Sequence, residues 1–288
     1  MMNRRISILI GTKNRPTELF GLLQSLRTQT YQDYDIYILD DSSTVPLLNY
    51  YFITYIINRL KIEGHGVWIK RNTHSNGISR MRNQMVKWSI KNDDNEYMCR
   101  CDDDTLCEPD YLERLIKILR KKPECWFATG ITPPLAQVGW KRDTKYVKPL
   151  MNNLEVKGDT IIKIGDDCGY DYITDEWIPT QHFRSSGVYR RNIHTDHDIW
   201  YATNFTTCGF REEEILSLQI ISKGGEIWVD TGARNIHIMT PSGGDRISNY
   251  RELASRNEEI LRDFYKKLYS KYGDFITKYN KKMVGKLK

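Results

Sequence analysis

The sequence predicts an α/β fold in which helices flank a mostly parallel sheet, and three observations carry that prediction. Over the first 130 residues short β-rich runs alternate with helical patterns of about 10–15 residues, which imply right-handed βαβ units. Two of those runs end in acidic clusters, and ligands of such sheets bind beyond the carboxyl ends of the strands. The chain of 288 residues, 40% hydrophobic and 28% charged, is long enough for a sizeable core and too apolar for a disordered chain.

Taken in order, residues 6–10 form a short β-rich run, closed by Gly11-Thr12-Lys13-Asn14-Arg15-Pro16 with its proline at a helix start. Residues 17–28 put Leu19, Leu22, Leu23 and Leu26 on one helical face. Residues 35–39 read as a buried strand running into Asp40-Asp41-Ser42-Ser43. Helices are expected over 50–60 and 80–90, with a strand over 66–70 between them. Residues 97–101 form a strand ending in Asp102-Asp103-Asp104, and 109–119 a helix. From about residue 131 the pattern turns polar, with 187–191 its best strand. A helix over 212–222 closes at Gly224-Gly225, a strand covers 226–230, and 232–244 is rich in turn residues. Residues 250–272 are amphipathic, with Leu253, Ile260, Leu261, Phe264 and Leu268 at helical spacing. The expected organisation is therefore 1–130, 131–240 and a C-terminal part over 241–288.

The formal charge of +6 lies in the tail: residues 265–288 hold eight lysines and one acid, Asp274. The six cysteines include no CxxC pair, which suits reduced thiols and a cytoplasmic protein. No signal-like segment precedes the first strand, and no apolar run approaches the ~20 residues that cross a bilayer.

Three places concentrate functional groups. Thr12 and Asp41 stand at the ends of the first two strands, where a carboxylate accepts hydrogen bonds from a base or ribose; helix capping by Asp41-Ser42-Ser43 is the alternative. Asp102-Asp103-Asp104 places three carboxylates together, a repulsive arrangement that a cation relieves. If the strand continues, Asp102 and Asp104 share a side and grip one Mg2+ or Mn2+ with a diphosphate; a solvated acidic turn is the plainer reading. Glu212-Glu213-Glu214 opens a helix, where acids favour the dipole whether or not one of them acts as a base.

These blocks together resemble family 2 glycosyltransferases. The residues that carry the resemblance are 8–15, 40–43, 76–83 (Asn-Gly-Ile-Ser-Arg-Met-Arg-Asn), 102–104 with Pro109, and Glu212-Glu213 with Leu216, Gly224 and 228–230, in the family's order and spacing over most of 5–240. The resemblance implies a GT-A fold, a nucleotide-sugar donor, a UDP-sugar above all, a divalent Mn2+ or Mg2+, and inversion at the anomeric carbon. Carried over, Thr12 and Asp41 hold the nucleobase, and Gly77 and Arg80 lie near the base or diphosphate. Asp102 contacts ribose or metal, Asp103 lies in the same nucleotide shell, and Asp104 is the principal metal ligand with His237 completing the site. Glu213 falls where the family has its catalytic carboxylate, usually Asp, with Glu212 and Glu214 as rivals. Gln219 stands where the family often has Arg, and the Gln-x-x-Arg-Trp signature of processive synthases is absent, so a single-addition enzyme is expected.

A nucleotidyltransferase and an inactive sugar- or nucleic-acid-binding module are the alternatives. The run 194–198 (His-Thr-Asp-His-Asp) is a metal candidate whose spacing fits no standard zinc site. Trp177, His182, Trp200 and Tyr201 lie where family members bind acceptor, and 240–250 has the glycines of a lid. The acceptor stays open: a glycan, a lipid-linked sugar, a protein hydroxyl or a hydroxymethylated DNA base. The lysine-rich tail suits an anionic membrane surface, a nucleic acid or plain solvation.

Overall fold

The computed structural model describes residues 5–135, 154–164, 177–183, 185–205, 210–240 and 250–286. The chain begins β1(Ile6–Thr12), α1(Pro16–Arg27), β2(Tyr34–Asp40), α2(Tyr51–Ile62), β3(Val67–Arg71), α3(Ile78–Asn92), β4(Tyr97–Asp102), β5(Thr105–Cys107), α4(Tyr111–Lys121) and β6(Cys125–Ile131). It continues with β7(Leu154–Lys157), β8(Thr160–Ile164), β9(Trp177–Thr180), β10(Gly187–Arg190), α5(Asn192–Thr195), α6(Glu212–Ser222), β11(Glu226–His237) and α7(Tyr250–Lys286).

The large sheet runs β3-β2-β1-β4-β10-β6-β11-β5, with β9 paired to β11. Its first four strands are parallel, as the alternating βαβ pattern requires. Strand β10 is antiparallel to both β4 and β6, which makes the second half mixed. Period-two alternation sorts the core: Ile6, Ile8 and Ile10 pack with the leucines and isoleucines of α1, α2 and α4. Leu9, Tyr37 and Leu39 face the other way, toward α3, where they join Met81, Met85 and Val86 in a cluster extending to α6 and α7. Helix α3 crosses close to the end of β1, where a Cβ on Gly11 would stand 2.1 Å from Met81 Cε.

Two departures from the sequence reading position the site. Strand β4 stops at Asp102, and Asp103-Asp104 turn the chain into the short strand β5. The condition for Asp102 and Asp104 to share a strand face is therefore not met. Strand β11 does not end at Asp230 but continues to His237. The Asp230 carboxylate takes the Gly232 N–H (2.8 Å), two N–H groups of Arg114 and the Trp177 indole N–H, so the glycine region becomes an irregularity instead of a terminus. Pairing then resumes against β5, with His237 opposite Thr105.

The six cysteines were expected to be reduced. Cys99, Cys101, Cys107 and Cys125 are free and buried; Cys168 and Cys208 lie outside the described residues, as does 241–249 of the expected lid.

Candidate active site

The end of β4, the loop before β10 and the first turn of α6 meet around two buried arginines. Arg100 on β4 and Arg82 on α3 are 3% and 6% exposed, and both guanidinium groups lie beside the Tyr201 ring. Arg82 donates to Asp102 (3.0 Å) and Glu212 (2.5 Å). Arg100 donates to Glu213 (2.5 Å) and reaches Asp102 at 3.4 Å. The loop completes the cluster: Ser185 gives its hydroxyl to Asp102 (2.8 Å) and its backbone N–H to Glu213 (3.0 Å).

Charge is unequally compensated here. Burial opposes ionisation of Asp102, yet Arg100, Arg82, the Ser185 hydroxyl and His237 outweigh it and hold this carboxyl down at about 2. Burial pushes Glu212 up, opposed by Arg82 and assisted by Glu213, and its Oε2 has no hydrogen-bond partner. Glu213 is the more open of the two, with side-chain exposure of 19% against 4%. Glu214 turns away to Arg211 (2.9 Å), which also binds Glu258 of α7. That pairing locks α6 to α7 and gives Glu214 a structural task outside the cluster.

The next two carboxylates face a different set of cations. Arg15 Nη1 contacts Asp103 at 2.9 Å and Asp104 at 3.0 Å, while His237 Nε2 lies 3.2 Å from Asp104 Oδ2. Burial, opposed by Arg15 and assisted by Asp104, pushes Asp103 up to about 7. Arg15 is aimed there by a crossed turn: Asn14 at φ 56° donates its N–H to Ser43 Oγ, and its side-chain oxygen accepts the Thr44 N–H. Asparagine tolerates that left-handed backbone better than most residues.

Thr12 and Asp41 are brought together, the Thr12 carbonyl accepting the Asp41 N–H at 2.8 Å. The Asp41 carboxylate accepts from Asn72 (2.6 Å), Ser75 (2.6 Å) and the Asn76 N–H. It thereby fixes the loop leading to Gly77, whose φ of 75° suits glycine at the start of α3. Arg80 is exposed and forms no ion pair among the described residues.

Sequence reading missed Arg15, Arg82, Arg100 and Ser185. A signal existed for two of them: Arg82 shares a helical face with Ser79 and Val86, and Arg100 interrupts an otherwise apolar strand. A cation at a core position requires buried partners. The metal candidate at 194–198 resolves differently. His194 is buried with Nδ1 2.5 Å from the Ile199 carbonyl, whereas His197 stacks on Trp126 at 4.1 Å. Trp177 binds Asp230, away from the arginine cluster. No three His, Cys, Asp or Glu side chains among the described residues converge as a ready-made metal cage.

Acid clusters stand at the strand ends of a half-parallel sheet, opposite a helix N-terminus carrying glutamates, and the fold is that of a GT-A type glycosyltransferase. The profile described as Glycosyl transferase family 2 matches residues 7–177, and the chain belongs to that family. Its fold is similar to that of S. aureus TarS. The structure of TarS 1-349 in complex with UDP-GlcNAc superposes with a TM-score of 0.58 at 15% identity, covering 92% of this chain and 73% of that one. The UDP complex of the same fragment gives a TM-score of 0.56 at 15% identity, with 92% and 72% covered. Against the longer TarS chain the values are 0.56 and 15%, and this chain spans 44% of its length.

Proposed function

We propose that the chain transfers a sugar from a UDP-linked donor to an acceptor hydroxyl, by a single displacement that inverts the anomeric carbon and adds one residue. The observation that carries this reading is the joint placement of Glu213 and Asp102 on Arg100 and Ser185, with Asp104 and His237 beyond them. The TarS fragment of similar fold has been captured with UDP and with UDP-GlcNAc.

In this reading residues 1–130 hold the donor, with Thr12 and Asp41 at the base, Gly77 and Arg80 near the base or diphosphate, and Asp102 and Asp103 around the ribose. Residues 131–240 receive the acceptor. Glu213 takes the proton of the acceptor hydroxyl as its oxygen bonds to the anomeric carbon and the bond to the diphosphate oxygen breaks, a step worth ~10²–10⁴-fold. Arg100 and the Ser185 N–H fix the orientation of that carboxylate. The donor set at Asp104 and His237, with Asp102 alongside, suits Mn2+ or Mg2+, ions that typically take one or two carboxylates and complete their shell with phosphate. When bound, the ion supplies charge neutralisation for the leaving diphosphate.

The test is a panel of nucleotide-sugars with Mn2+, read as thermal shift and as release of nucleoside diphosphate. Glu213→Gln is expected to keep the UDP-sugar shift and lose turnover by ~10²-fold or more. Near-normal turnover would move the base to Glu212. Donor binding without turnover by the unsubstituted chain, across an acceptor screen, would make it a binding module.

A further inference from the structure

The basic tail forms a surface of definite shape. Helix α7 buries one face through Leu261 and Tyr265 and, beyond a kink at Tyr272, through Ile276 and Tyr279. The Tyr279 hydroxyl seals that contact, donating to the Thr180 carbonyl (2.8 Å) and accepting the Ile227 N–H (3.2 Å). The distal arm is therefore docked on the fold, and its outer side has a fixed direction. Beyond the kink Phe275 is 53% exposed, and Lys278 and Lys281 are exposed after it, with exposed Asp274 before it and exposed Lys271 on the near side of the kink. Lys278 follows Phe275 at i+3, the spacing of one helical face.

We infer that this face is a docking site for an anionic lipid bilayer, with Phe275 entering the headgroup region and the surrounding lysines meeting lipid phosphates. An apolar wedge set among cations matches an interface that is apolar below and negative above. Position favours a membrane over an acceptor nucleic acid. A Cβ on Gly224, just past the C-terminus of α6, would stand 3.7 Å from the Phe275 ring. Glu212 and Glu213 open the other end of that helix, about 16 Å away at ~1.5 Å per residue. The patch therefore lies at the far end of α6 from the catalytic cluster and holds the cleft off the surface. No helix among the described residues is long and apolar enough to cross a membrane, so the association is peripheral and reversible.

The inference does not depend on the transfer reaction, and its test needs no substrate. The full chain is sedimented with vesicles of phosphatidylcholine alone or of equimolar phosphatidylcholine and phosphatidylglycerol. Binding to the anionic vesicles only is expected, and raising salt from 0.1 to 1 M, which shortens the Debye length from ~10 to ~3 Å, should release it. Phe275→Ser and the double variant Lys278→Glu/Lys281→Glu should each lower partitioning by about tenfold or more. Both alter exposed side chains, and an unchanged melting temperature will confirm that the fold is intact. Three results would overturn the inference: no binding to anionic vesicles at 0.1 M salt, equal binding to neutral ones, or full binding by both variants. Displacement from vesicles by duplex DNA, with DNA binding that itself requires Phe275, would overturn it in favour of nucleic acid.

Discussion

Consecutive carboxylates at the end of β4 live in opposite electrostatic worlds. Asp102 has two arginines and a serine hydroxyl, shares them with Glu212 and Glu213, and is held down at about 2. Asp103 and Asp104 share one nitrogen of Arg15, Asp104 also meets His237, and Asp103 is pushed up to about 7. The difference shows that an acidic tripeptide is not a unit. The turn after Asp102 parts its members between Arg82 with Arg100 on one side and Arg15 on the other, and Asp104, which also faces His237, is where the proposed ion would sit.

The largest expected effect comes from breaking the arginine-rich side. Arg82→Met leaves the buried Glu212 and the half-buried Asp102 with Arg100 as their remaining guanidinium, and removing one partner of a buried ion pair such as Arg82–Glu212 costs about 3–5 kcal/mol. Arg15→Met should cost less, because Asp103 already protonates near neutrality and takes up a proton when its partner is lost. Urea unfolding of both variants at pH 7 measures the pair. Equal losses would erase the distinction between the two sides.

Acid unfolding separates them further once a bystander is removed. Burial lowers His194 from 6.5 to about 4, so the unfolded chain binds this proton first. Stability from neutral His194 is full above pH 6.5 and is lost as pH falls toward 4, by about 3 kcal/mol. Asp102, depressed to about 2, gives stability that persists down to its unfolded value near 3.8 and disappears only below it. Asp103 acts with the opposite sign between 3.8 and 7, since the native state then binds more protons. His194→Gln should flatten the loss between pH 6.5 and 4 relative to the unsubstituted chain and leave the loss below pH 4 in place. An unchanged slope in the upper window would contradict the neutral buried imidazole.

On the Arg15 side, Asp104→Asn should weaken the Mn2+-dependent part of UDP-sugar binding by about tenfold or more, given that lesser changes around metal sites already cost 10–100-fold. Calorimetric titration with and without Mn2+ checks it. Equal affinities for both proteins in Mn2+ would take the ion away from Asp104.

The parallel half was legible because each of its elements satisfies a local rule. Leu19, Leu22, Leu23 and Leu26 keep one helical face, and the runs starting at Ile6 and Asp35 are apolar apart from Ser7 and Asp35 themselves, as strands covered on both sheet faces should be. The mixed half was less so. Strand β6 carries Gly130, where a Cβ would meet the Ala233 carbonyl at 2.2 Å, and β11 bends at Asp230 and Gly232, so both depend on contacts distant in sequence. The same holds for the site. Carboxylates at strand ends stood out as clusters, whereas Arg82, Arg100 and Ser185 matter through partners 20 to 130 residues away; a cation at a core position signals that partners exist, and nothing local says which they are.

Arg80 and Arg82 put this point in its sharpest form, because two positions on one helix separate by about 200° and face opposite ways. The sequence reading chose Arg80 for the base or diphosphate; the structure exposes Arg80 and buries Arg82 against Asp102 and Glu212. An exposed side chain away from such contacts changes stability by about 0.5 kcal/mol or less, so Arg80→Ala should leave the melting temperature unchanged, while its proposed place near the base or diphosphate should make donor KM rise by about fivefold or more. An unchanged KM would take the base and diphosphate away from Arg80, whereas a rise in KM at constant melting temperature would divide the helix between an exposed arginine that meets donor and a buried one that organises carboxylates.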